Sequence, residues 1–316
     1  MLAVHLEGGV VTVKRRAVPT RKPGFALIRL LAAGVCNTDL ELKRGYYGFH
    51  GTPGHEFIGE VVEADRAALV GKRVGGEINL ACGDCEYCAR GLGRHCWHRT
   101  VLGIVKHPGA FAEYLTLPER NLHVIPAGLA TEEAVFVEPL AAACEILDQV
   151  KIARGARVAV MGDGKLGILI AQALGAHGVE VVHFGRHKAK LEVGGAAEQR
   201  VVGAKLPRMA FDTVVEATGS AEGLRQAVGM TKPRGTLVMK STVHGMVSLD
   251  TAPVIVHEIT LVGSRCGRFE PALRLLKSGR VNVAPMIHGV MPLREAARAF
   301  DRAAKRGVLK VLLTPD

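Results

Sequence analysis

Short hydrophobic runs recur along the first 125 or so residues of the chain. They include 24–36 (GFALIRLLAAGVC), 56–64 (EFIGEVVEA), 71–79 (GKRVGGEIN) and 109–117 (GAFAEYLTL). Val, Ile, Phe and Tyr in brief runs separated by Gly and Pro are typical of strands joined by turns. The pattern therefore predicts an irregular β-rich module at the start of the chain.

From about residue 144 the pattern changes to strands that alternate with helices. ARVAVMG (156–162) and VEVVHFG (179–185) are continuous apolar runs of strand length, and LGILIAQALGAHG (166–178) between them predicts a helix that ends at Gly. Further strands are predicted at 211–219, 235–241 and 259–264, and further helices at 221–230 and 269–280. This alternation predicts a parallel sheet with helices on both faces. After residue 285 the chain adds a predicted helix (292–306) and a last strand (308–314).

Length and composition predict a globular protein of two domains. The chain has 316 residues, 48% of them hydrophobic and 22% charged. MLAVHLEGGVVTVKRR lacks the pattern of a secretory signal, and no apolar run approaches the length of a membrane span. We therefore expect a cytoplasmic protein without a membrane association, in which disulfides rarely persist.

The formal net charge of +11 at pH 7 raises the question of an acidic partner, nucleic acid included. The Lys and Arg residues are scattered along the chain, however, and aromatic residues make up only 4% of it. Stacking platforms for bases are therefore scarce. We predict no nucleic-acid partner.

A glycine-rich loop joins the first strand and helix of the second region. Its sequence is GDGKLG, with glycines in G-x-G-x-x-G spacing after a buried strand and before an apolar helix. Such a loop lets the backbone approach a pyrophosphate at the helix N-terminus. The loop residues predicted to bind a dinucleotide are Gly162, Gly164, Lys165, Leu166 and Gly167.

The end of the second strand of this region indicates which dinucleotide is preferred. NAD-binding folds place an Asp or Glu there to hold the ribose hydroxyls, but this chain has Gly185, followed by Arg186 and His187. Gly leaves room for a 2′-phosphate, and a guanidinium can bind it with paired donors. The pattern favours NADP over NAD; the alternative is a basic turn that only contacts solvent.

Four of the seven cysteines lie in one stretch, CGDCEYCARGLGRHC (82–96). Four thiolates are enough for a closed tetrahedral zinc site, and a site with all positions filled cannot bind a substrate. The cluster predicts a structural zinc ion. Its ligands are Cys82, Cys85, Cys88 and Cys96.

A second candidate metal group lies in GVCNTDLE (34–41) and GHEF (54–57). Cys36 and His55 offer a sulfur and a nitrogen ligand, and an acidic oxygen would complete three protein ligands. Such a set leaves one position open for chemistry.

Two metal groups followed by this glycine loop resemble the zinc-dependent medium-chain alcohol dehydrogenases, in the branch of the polyol and sugar dehydrogenases. The resemblance covers nearly the whole chain and includes VEPLA (137–141), VVEATG (214–219) and ITLVGS (259–264). It implies an α/β protein in which a GroES-like β-rich catalytic domain accompanies a Rossmann coenzyme domain with a doubly wound parallel sheet. The implied bounds are 1–143 and 285–316 for the catalytic domain, with the zinc lobe at 82–96, and 144–284 for the coenzyme domain.

The resemblance also implies roles for the residues of the first metal group. Cys36 and His55 match ligands of a catalytic zinc, and Glu138 matches the glutamate ligand of polyol dehydrogenases. Glu56 matches a carboxylate beside the metal that exchanges as a ligand, so either glutamate is a candidate third ligand.

Three further residues receive roles in the same way. Asp39 matches the acid that orients the ligand histidine, and Thr38 matches the hydroxyl residue that bonds the substrate oxygen and passes on its proton. Lys310 matches a basic residue that reaches toward the cofactor pyrophosphate.

The implied function is reversible oxidation of a secondary alcohol, polyol or sugar to its carbonyl compound. The implied cofactors are one catalytic and one structural Zn²⁺ per chain and NADP, with NAD possible, and the implied assembly is a homodimer or homotetramer. Two alternatives remain: a zinc-free NADPH-dependent enone or quinone reductase of the same fold, and a zinc-ribbon protein that binds nucleic acid.

Overall fold

A computed structural model describes residues 1–203, 205–242 and 246–316. Its strands, in chain order, are β1 Leu2–Glu7, β2 Val10–Arg15, β3 Phe25–Gly34, β4 Glu56–Glu63, β5 Arg73–Gly76, β6 Asn79–Leu80, β7 Thr100–Leu102, β8 Lys106–His107, β9 Tyr114–Pro118, β10 Leu122–Val124, β11 Arg157–Met161, β12 Glu180–Gly185, β13 Glu198–Val201, β14 Phe211–Glu216, β15 Thr231–Met239, β16 Thr260–Gly263, β17 Ile287–Pro292 and β18 Lys310–Thr314. Its α-helices are α1 Asn37–Lys43, α2 Glu86–Ala89, α3 Thr131–Ala134, α4 Val137–Gln149, α5 Lys165–Ala176, α6 Lys188–Gly194, α7 Ala221–Met230, α8 Ala252–Val256, α9 Phe269–Lys277 and α10 Ala296–Ala303.

The chain divides into two compact units. Unit 1 consists of Met1–Glu138 and Met286–Asp316, and unit 2 consists of Pro139–Pro285. Across the described residues, every helix is too short or too polar to traverse a lipid bilayer.

Unit 1 is built on a seven-stranded sheet. Its strand order is β10-β5-β4-β3-β18-β17, and β9 pairs with β3 beside this path. The long strand β3 alternates between sheet faces and buries most of its apolar side chains, so it forms the centre of this unit. A two-stranded sheet, β1-β2, and a three-stranded sheet, β6-β7-β8, complete the β-rich module.

Unit 2 contains a six-stranded parallel sheet in the order β13-β12-β11-β14-β15-β16. Numbered within the unit, this order is 3-2-1-4-5-6, the order of a doubly wound dinucleotide-binding fold. The order reverses at β11, so the crevice for a ligand is expected at the carboxyl ends of β11 and its neighbours. The fold class predicted from the sequence, a β-rich GroES-like domain with a Rossmann-type parallel sheet, is confirmed.

The core of unit 2 explains why these apolar runs form parallel strands. Residues of β11, β12 and β14 pack into one buried cluster, in which the rings of Phe184 and Phe211 meet edge to face at 5.9 Å. Arg157 and Arg200 cover the outer faces of Phe211 and Phe184, respectively. The strands are buried on both faces, which fits their continuous hydrophobic sequences.

Two local expectations differ from the structure. The run 71–79 contributes to two strands in different sheets, because the chain leaves β5 at Glu77, whose backbone N–H donates to Asn121 O at 2.9 Å. The helix expected at 292–306 is confined to α10, because residues 293–295 form a 3₁₀ turn. Between β13 and β14 none of the described residues is helical, as expected from the shortness of that segment.

Candidate metal centres and dinucleotide site

The first candidate metal group forms one buried cluster in unit 1. Cys36 lies between the end of β3 and the start of α1, and His55 and Glu56 stand at the start of β4, which pairs with β3. One ligand atom from each of the three residues lies within 4.8 Å of the others. The pairing of β3 with β4 therefore joins two sequence motifs that are about twenty residues apart.

Asp39 connects the residues of this cluster. Its carboxylate is fully buried and accepts the backbone N–H of Cys36 at 2.8 Å and that of Gly54 at 3.2 Å. Its Oδ1 also lies 3.5 Å from His55 Nδ1. Burial opposes protonation of His55, but the negative charges of Asp39 and Cys36 outweigh burial and raise the pKa of the imidazole well above its ordinary value. The cluster therefore attracts positive charge.

Glu56 forms a buried ion pair with Lys310. Both side chains are about 1% exposed, and Lys310 Nζ donates to Glu56 Oε2. Burial opposes the charge on Lys310, but Glu56, with Cys36, raises the pKa of the ammonium. Gly34 makes room for this pair, because a side chain there would lie 2.6 Å from Glu56 Oε2. The pyrophosphate role that the resemblance gives Lys310 stays a prediction; the hydrogen bond found for its ammonium is to Glu56.

The donor set of this cluster fits a zinc ion. Sulfur, imidazole nitrogen and carboxylate oxygen are the ligands of catalytic zinc sites with three protein ligands. Two buried atoms of the cluster, His55 Nδ1 and Glu56 Oε1, have no hydrogen-bond partner, and a buried polar atom without a partner is costly unless a ligand satisfies it. Thr38 Oγ1 lies 3.8 Å from Cys36 Sγ. Glu138, the second residue of α4, is buried, but it does not belong to this three-residue group.

The four cysteines of the lobe point their sulfur atoms at one another. The Sγ–Sγ distances are 3.4 Å for Cys82–Cys96, 3.5 Å for Cys85–Cys88, 3.6 Å for Cys85–Cys96 and 3.8 Å for Cys82–Cys88. A tetrahedron with Zn–S bonds of about 2.3 Å has edges of about 3.8 Å. All four thiols are free. The spacing therefore fits a closed four-thiolate zinc site.

Backbone N–H groups already stabilise the thiolates that zinc requires. The N–H of Cys82 donates to Cys96 Sγ and that of Gly83 donates to Cys88 Sγ, each at 3.4 Å. The backbone N–H of Cys88 is the main cause that lowers the pKa of the Cys85 thiol, to about 6. The pKa is lowered for the Cys85 and Cys96 thiols, whereas it is raised for Cys82, mainly by its hydrogen bond with Asp84, and for Cys88, so only part of the ligand set favours the thiolate before a cation binds.

The glycine loop of unit 2, residues 162–167, has the space that a pyrophosphate needs. Gly162 has a φ of 119°, and a side chain there would lie 2.4 Å from Ala217 O. A side chain at Gly167 would collide with Gly162 O at 1.9 Å, whereas one at Gly164 would meet nothing within 4 Å. Gly164 caps α5, which begins with Lys165 and Leu166. The first and third glycines permit close packing, and the second leaves its surroundings open to a ligand.

His183 supports this loop from beneath. The ring is completely buried in β12, and its Nε2 lies 2.7 Å from Gly162 O. A carbonyl only accepts, so Nε2 carries the hydrogen. Nδ1 has no hydrogen-bond partner, and burial lowers the pKa of His183.

The turn from β12 to α6 contains the residues predicted to select the cofactor. Gly185 ends β12, Arg186 is exposed, and His187 caps α6. Asp163 of the glycine loop reaches this turn: its Oδ2 accepts the backbone N–H groups of Arg186 and His187 and the Nδ1 hydrogen of His187, at 2.7–2.8 Å.

Two residues of this site were not singled out from the sequence. His183 looks like any polar residue in a strand, and no signal in the sequence distinguishes it. Asp163 is the one acidic residue inside GDGKLG, so the motif itself contained the signal.

Comparisons with known proteins agree with this geometry. The sequence model of the alcohol dehydrogenase GroES-like domain matches residues 22–127, and that of the zinc-binding dehydrogenases matches residues 164–278. The chain is 29% identical to a sorbitol dehydrogenase of Halalkalibacterium halodurans over 97% of this chain and 96% of the relative, and 30% identical to an L-threonine 3-dehydrogenase of Coxiella burnetii over 93% and 94%. A crystal structure of a zinc-binding dehydrogenase from Sinorhizobium meliloti bound to NADP matches with a TM-score of 0.89 and 29% identity over 99% of both chains.

One assignment follows from the two family models, from a relative at 30% identity over almost the whole chain and from the two metal-type clusters. The chain belongs to the zinc-dependent medium-chain alcohol dehydrogenases and is an enzyme of their polyol dehydrogenase-like branch.

Proposed function

We propose that the chain interconverts an alcohol, of the secondary alcohol, polyol or sugar class, and its carbonyl compound, with zinc and a nicotinamide cofactor. The observation that supports this most is the buried Cys36–His55–Glu56 cluster with Thr38 beside it. The printed names of relatives, such as sorbitol dehydrogenase and D-arabitol-phosphate dehydrogenase, support the substrate class.

In this proposal the chain's own residues position the reactants and move one proton. A bound zinc ion would supply Lewis acidity that eases loss of the alcohol proton, and a bound nicotinamide would accept the hydride. Cys36 and His55 hold the metal, and Asp39 fixes both of them through the hydrogen bond to the Cys36 N–H and its contact with the His55 ring. Thr38 Oγ1 accepts the alcohol proton and passes it on.

We propose Glu56 as the third protein ligand, with Glu138 as the competing candidate. Glu56 belongs to the cluster and has one oxygen, Oε1, without a hydrogen-bond partner. Zinc content separates the two. Glu56→Gln should lose the metal of this cluster and Glu138→Gln should keep it; the reverse pattern would assign the ligand to Glu138.

A histidine substitution tests the catalytic role of the cluster. His55→Ala should lower the zinc content from two ions per chain to one and abolish alcohol oxidation, while nucleotide binding persists because the glycine loop belongs to unit 2. His107→Ala is the control, since His107 lies in unit 1 outside the cluster and its ring bonds the backbone oxygen of Thr116. Full turnover by a verified metal-free preparation would instead identify a zinc-free reductase.

We further propose that NADP is favoured over NAD. Gly185 provides no strand-end carboxylate of its own, and the Arg186 side chain is exposed for a 2′-phosphate. A hydrogen bond to a charged group contributes about 1.5–3 kcal/mol, which corresponds to a preference of about ten- to a hundredfold. The preference is measured as kcat/KM with NADP divided by kcat/KM with NAD. Arg186→Ile should lower this ratio to near one, whereas the control Arg225→Ile, on α7, should leave it unchanged. Equal use of both cofactors by the unaltered protein would contradict this preference.

A second copy of the chain is the proposed partner of an exposed edge in unit 2. Strand β16 is the last in its sheet, and Ile255 and Val256 of the preceding helix are 72% and 73% exposed. Exposed strand edges and apolar side chains of this kind are usually covered. Ile255→Glu should shift the mass measured by light scattering from a dimer or tetramer toward smaller species. Val10→Glu, at an exposed position of unit 1, should leave that mass unchanged.

A further inference from the structure

The turn after β12 is tied to the glycine loop by one carboxylate. Asp163 Oδ2 accepts three hydrogen bonds from this turn: Arg186 N at 2.8 Å, His187 N at 2.7 Å and His187 Nδ1 at 2.8 Å. The same residue lies between the two glycines, Gly162 and Gly164, that begin the loop. Asp163 therefore belongs both to the loop for the pyrophosphate and to the strand end for the adenosine ribose.

Asp163 and Gly185 share one space. A side chain built on Gly185 would place its Cβ 2.5 Å from Asp163 Cβ and 2.9 Å from Leu191 Cδ2. Only one of the two positions can therefore have a side chain in this arrangement. The acid that NAD-binding folds place at the end of the second strand is missing at 185, and the structure provides a carboxylate at that strand end from position 163 instead.

This carboxylate is charged and has acceptor capacity left. Burial opposes its ionisation, but hydrogen bonds from His187 and from the N–H of Arg186 outweigh burial and hold the pKa of Asp163 below its ordinary value. The three hydrogen bonds all go to Oδ2, and no described residue donates to Oδ1. The Asp163 side chain is 13% exposed to solvent, so a ligand can reach it.

We propose that Asp163 is a specificity-determining residue for the cofactor: it replaces the missing strand-end acid, accepts a hydroxyl of the adenosine ribose and opposes a 2′-phosphate. This inference rests on the proposed nicotinamide dependence. Arg186 attracts the 2′-phosphate and Asp163 repels it, so the preference for NADP is smaller than Arg186 alone would give, and NAD remains a usable cofactor.

Removing the charge while keeping the shape tests this role. In Asp163→Asn the amide oxygen still accepts the two backbone N–H groups, but the negative charge is lost. The probes are adenosine 2′,5′-bisphosphate and AMP, which differ only in the 2′-phosphate, and their Kd values are measured by calorimetry on the zinc-loaded full chain. We expect the ratio Kd(AMP)/Kd(bisphosphate) to rise about tenfold or more.

Three further variants separate the possible causes. Asp212→Asn removes an equal charge from an exposed residue of β14 that pairs with Lys232, and the ratio should not change. Asp163→Ala also removes the hydrogen bonds to the turn. It should therefore raise the Kd of both nucleotides in addition to raising the ratio. Asp163→Ser provides a second neutral variant that can still accept a hydrogen bond, and it should raise the ratio if Asp163→Asn does not fold.

Each outcome decides the inference. A ratio that stays constant or falls in the neutral variants would show that Asp163 only holds the turn, and the inference would be wrong while the proposed dehydrogenase function stood. Binding is measured without turnover, so failure to oxidise any alcohol would count against the proposed function alone. If the unaltered protein bound neither nucleotide, both would be wrong.

Discussion

His183 is a buried titratable group that supports the glycine loop through one hydrogen bond. Its Nε2 donates to Gly162 O, and its Nδ1 has no partner, so an added proton on Nδ1 would be buried without an acceptor. A side chain at Gly194 would lie 2.6 Å from Nδ1, so this glycine gives the ring its space. Protonation of the imidazole is therefore disfavoured in the folded protein.

This environment predicts a pH-dependent contribution to stability. Burial lowers the pKa of His183 from the ordinary value of 6.5, so the unfolded chain binds more protons between the lowered pKa and 6.5. The contribution of His183 is complete above pH 6.5 and is lost as the pH falls. His183→Gln keeps a side-chain N–H for Gly162 O but does not titrate. The free energy of unfolding is measured in urea for the unaltered protein and for His183→Gln. The advantage of the unaltered protein over this variant should be smaller at pH 5.5 than at pH 7.5.

A leucine variant completes this test. His183→Leu leaves the Gly162 carbonyl without its donor, and we expect it to cost about 1–3 kcal/mol at pH 7.5 and to weaken nucleotide binding. Restoration of binding by His183→Gln would assign the effect to the hydrogen bond. A difference between the unaltered protein and His183→Gln that did not vary with pH would show that His183 is not held neutral.

The residue scale also shows how far the sequence predicted the site. Chemical type and spacing were enough to predict which residues lie together in the four-cysteine lobe and in the Cys36–His55 pair, and to place the glycine loop before a helix. The ion pair between Glu56 and Lys310 joins residues 254 positions apart, and it depends on β18 pairing beside β3. Spacing in the sequence contains no information about such a contact. The glycine motif displayed Asp163 as a candidate, but its hydrogen bonds to the β12 turn follow only from the fold.

At the scale of elements, the four-cysteine lobe has little regular structure to hold it. It contains α2, which is four residues long, and a three-residue 3₁₀ turn, and most of its side chains are exposed or half-buried. Its buried apolar contribution is therefore small, and only Cys96 of the four ligands is fully buried. A bound ion would replace the missing core.

Loss of one ligand should therefore destabilise the lobe. Cys88→Ala leaves three thiolates, and we expect loss of one zinc per chain and a Tm lower by about 10 °C. Elemental analysis and thermal unfolding measure the two effects. Cys266→Ser, outside both clusters, should keep two zinc ions. A Cys88→Ala protein that lost the lobe zinc but kept its Tm and its assembly would contradict a structural role.

Element prediction succeeded best where packing agreed with the local pattern. The strands and helices of unit 2 are apolar on the faces that they bury, so their periodicity reports their environment directly. The predicted strand at 71–79 failed because one local pattern extends over two sheets: Glu77 N bonds Asn121 O just where the chain leaves β5. The shortened α10 begins only after the 3₁₀ turn that follows Pro292. The first difference depends on a tertiary contact and the second on the local turn at Pro292.

At the scale of the whole molecule, each unit has its own candidate ligands. The two zinc-type clusters lie in unit 1, and the glycine loop with Asp163 and Arg186 lies in unit 2. The net charge of +11 is consistent with an anionic cofactor, and it need not indicate nucleic acid. Removing zinc and adding a nucleotide should therefore affect different segments of the chain.

Hydrogen exchange measures this separation of ligands. A nucleotide at one hundred times its Kd stabilises the state that binds it by about 2.7 kcal/mol, which slows exchange by about a hundredfold for amides that open only when the nucleotide is released. We expect this protection with adenosine 2′,5′-bisphosphate in peptides containing 158–168 and 182–191. Chelation of zinc should instead accelerate exchange in 34–40, 54–60 and 80–98. The Cys88→Ala protein provides the control, because only the first two of these segments should still respond to the chelator. If the chelator accelerated exchange in the glycine loop as much as in the lobe, the assignment of the ligands to separate units would be wrong.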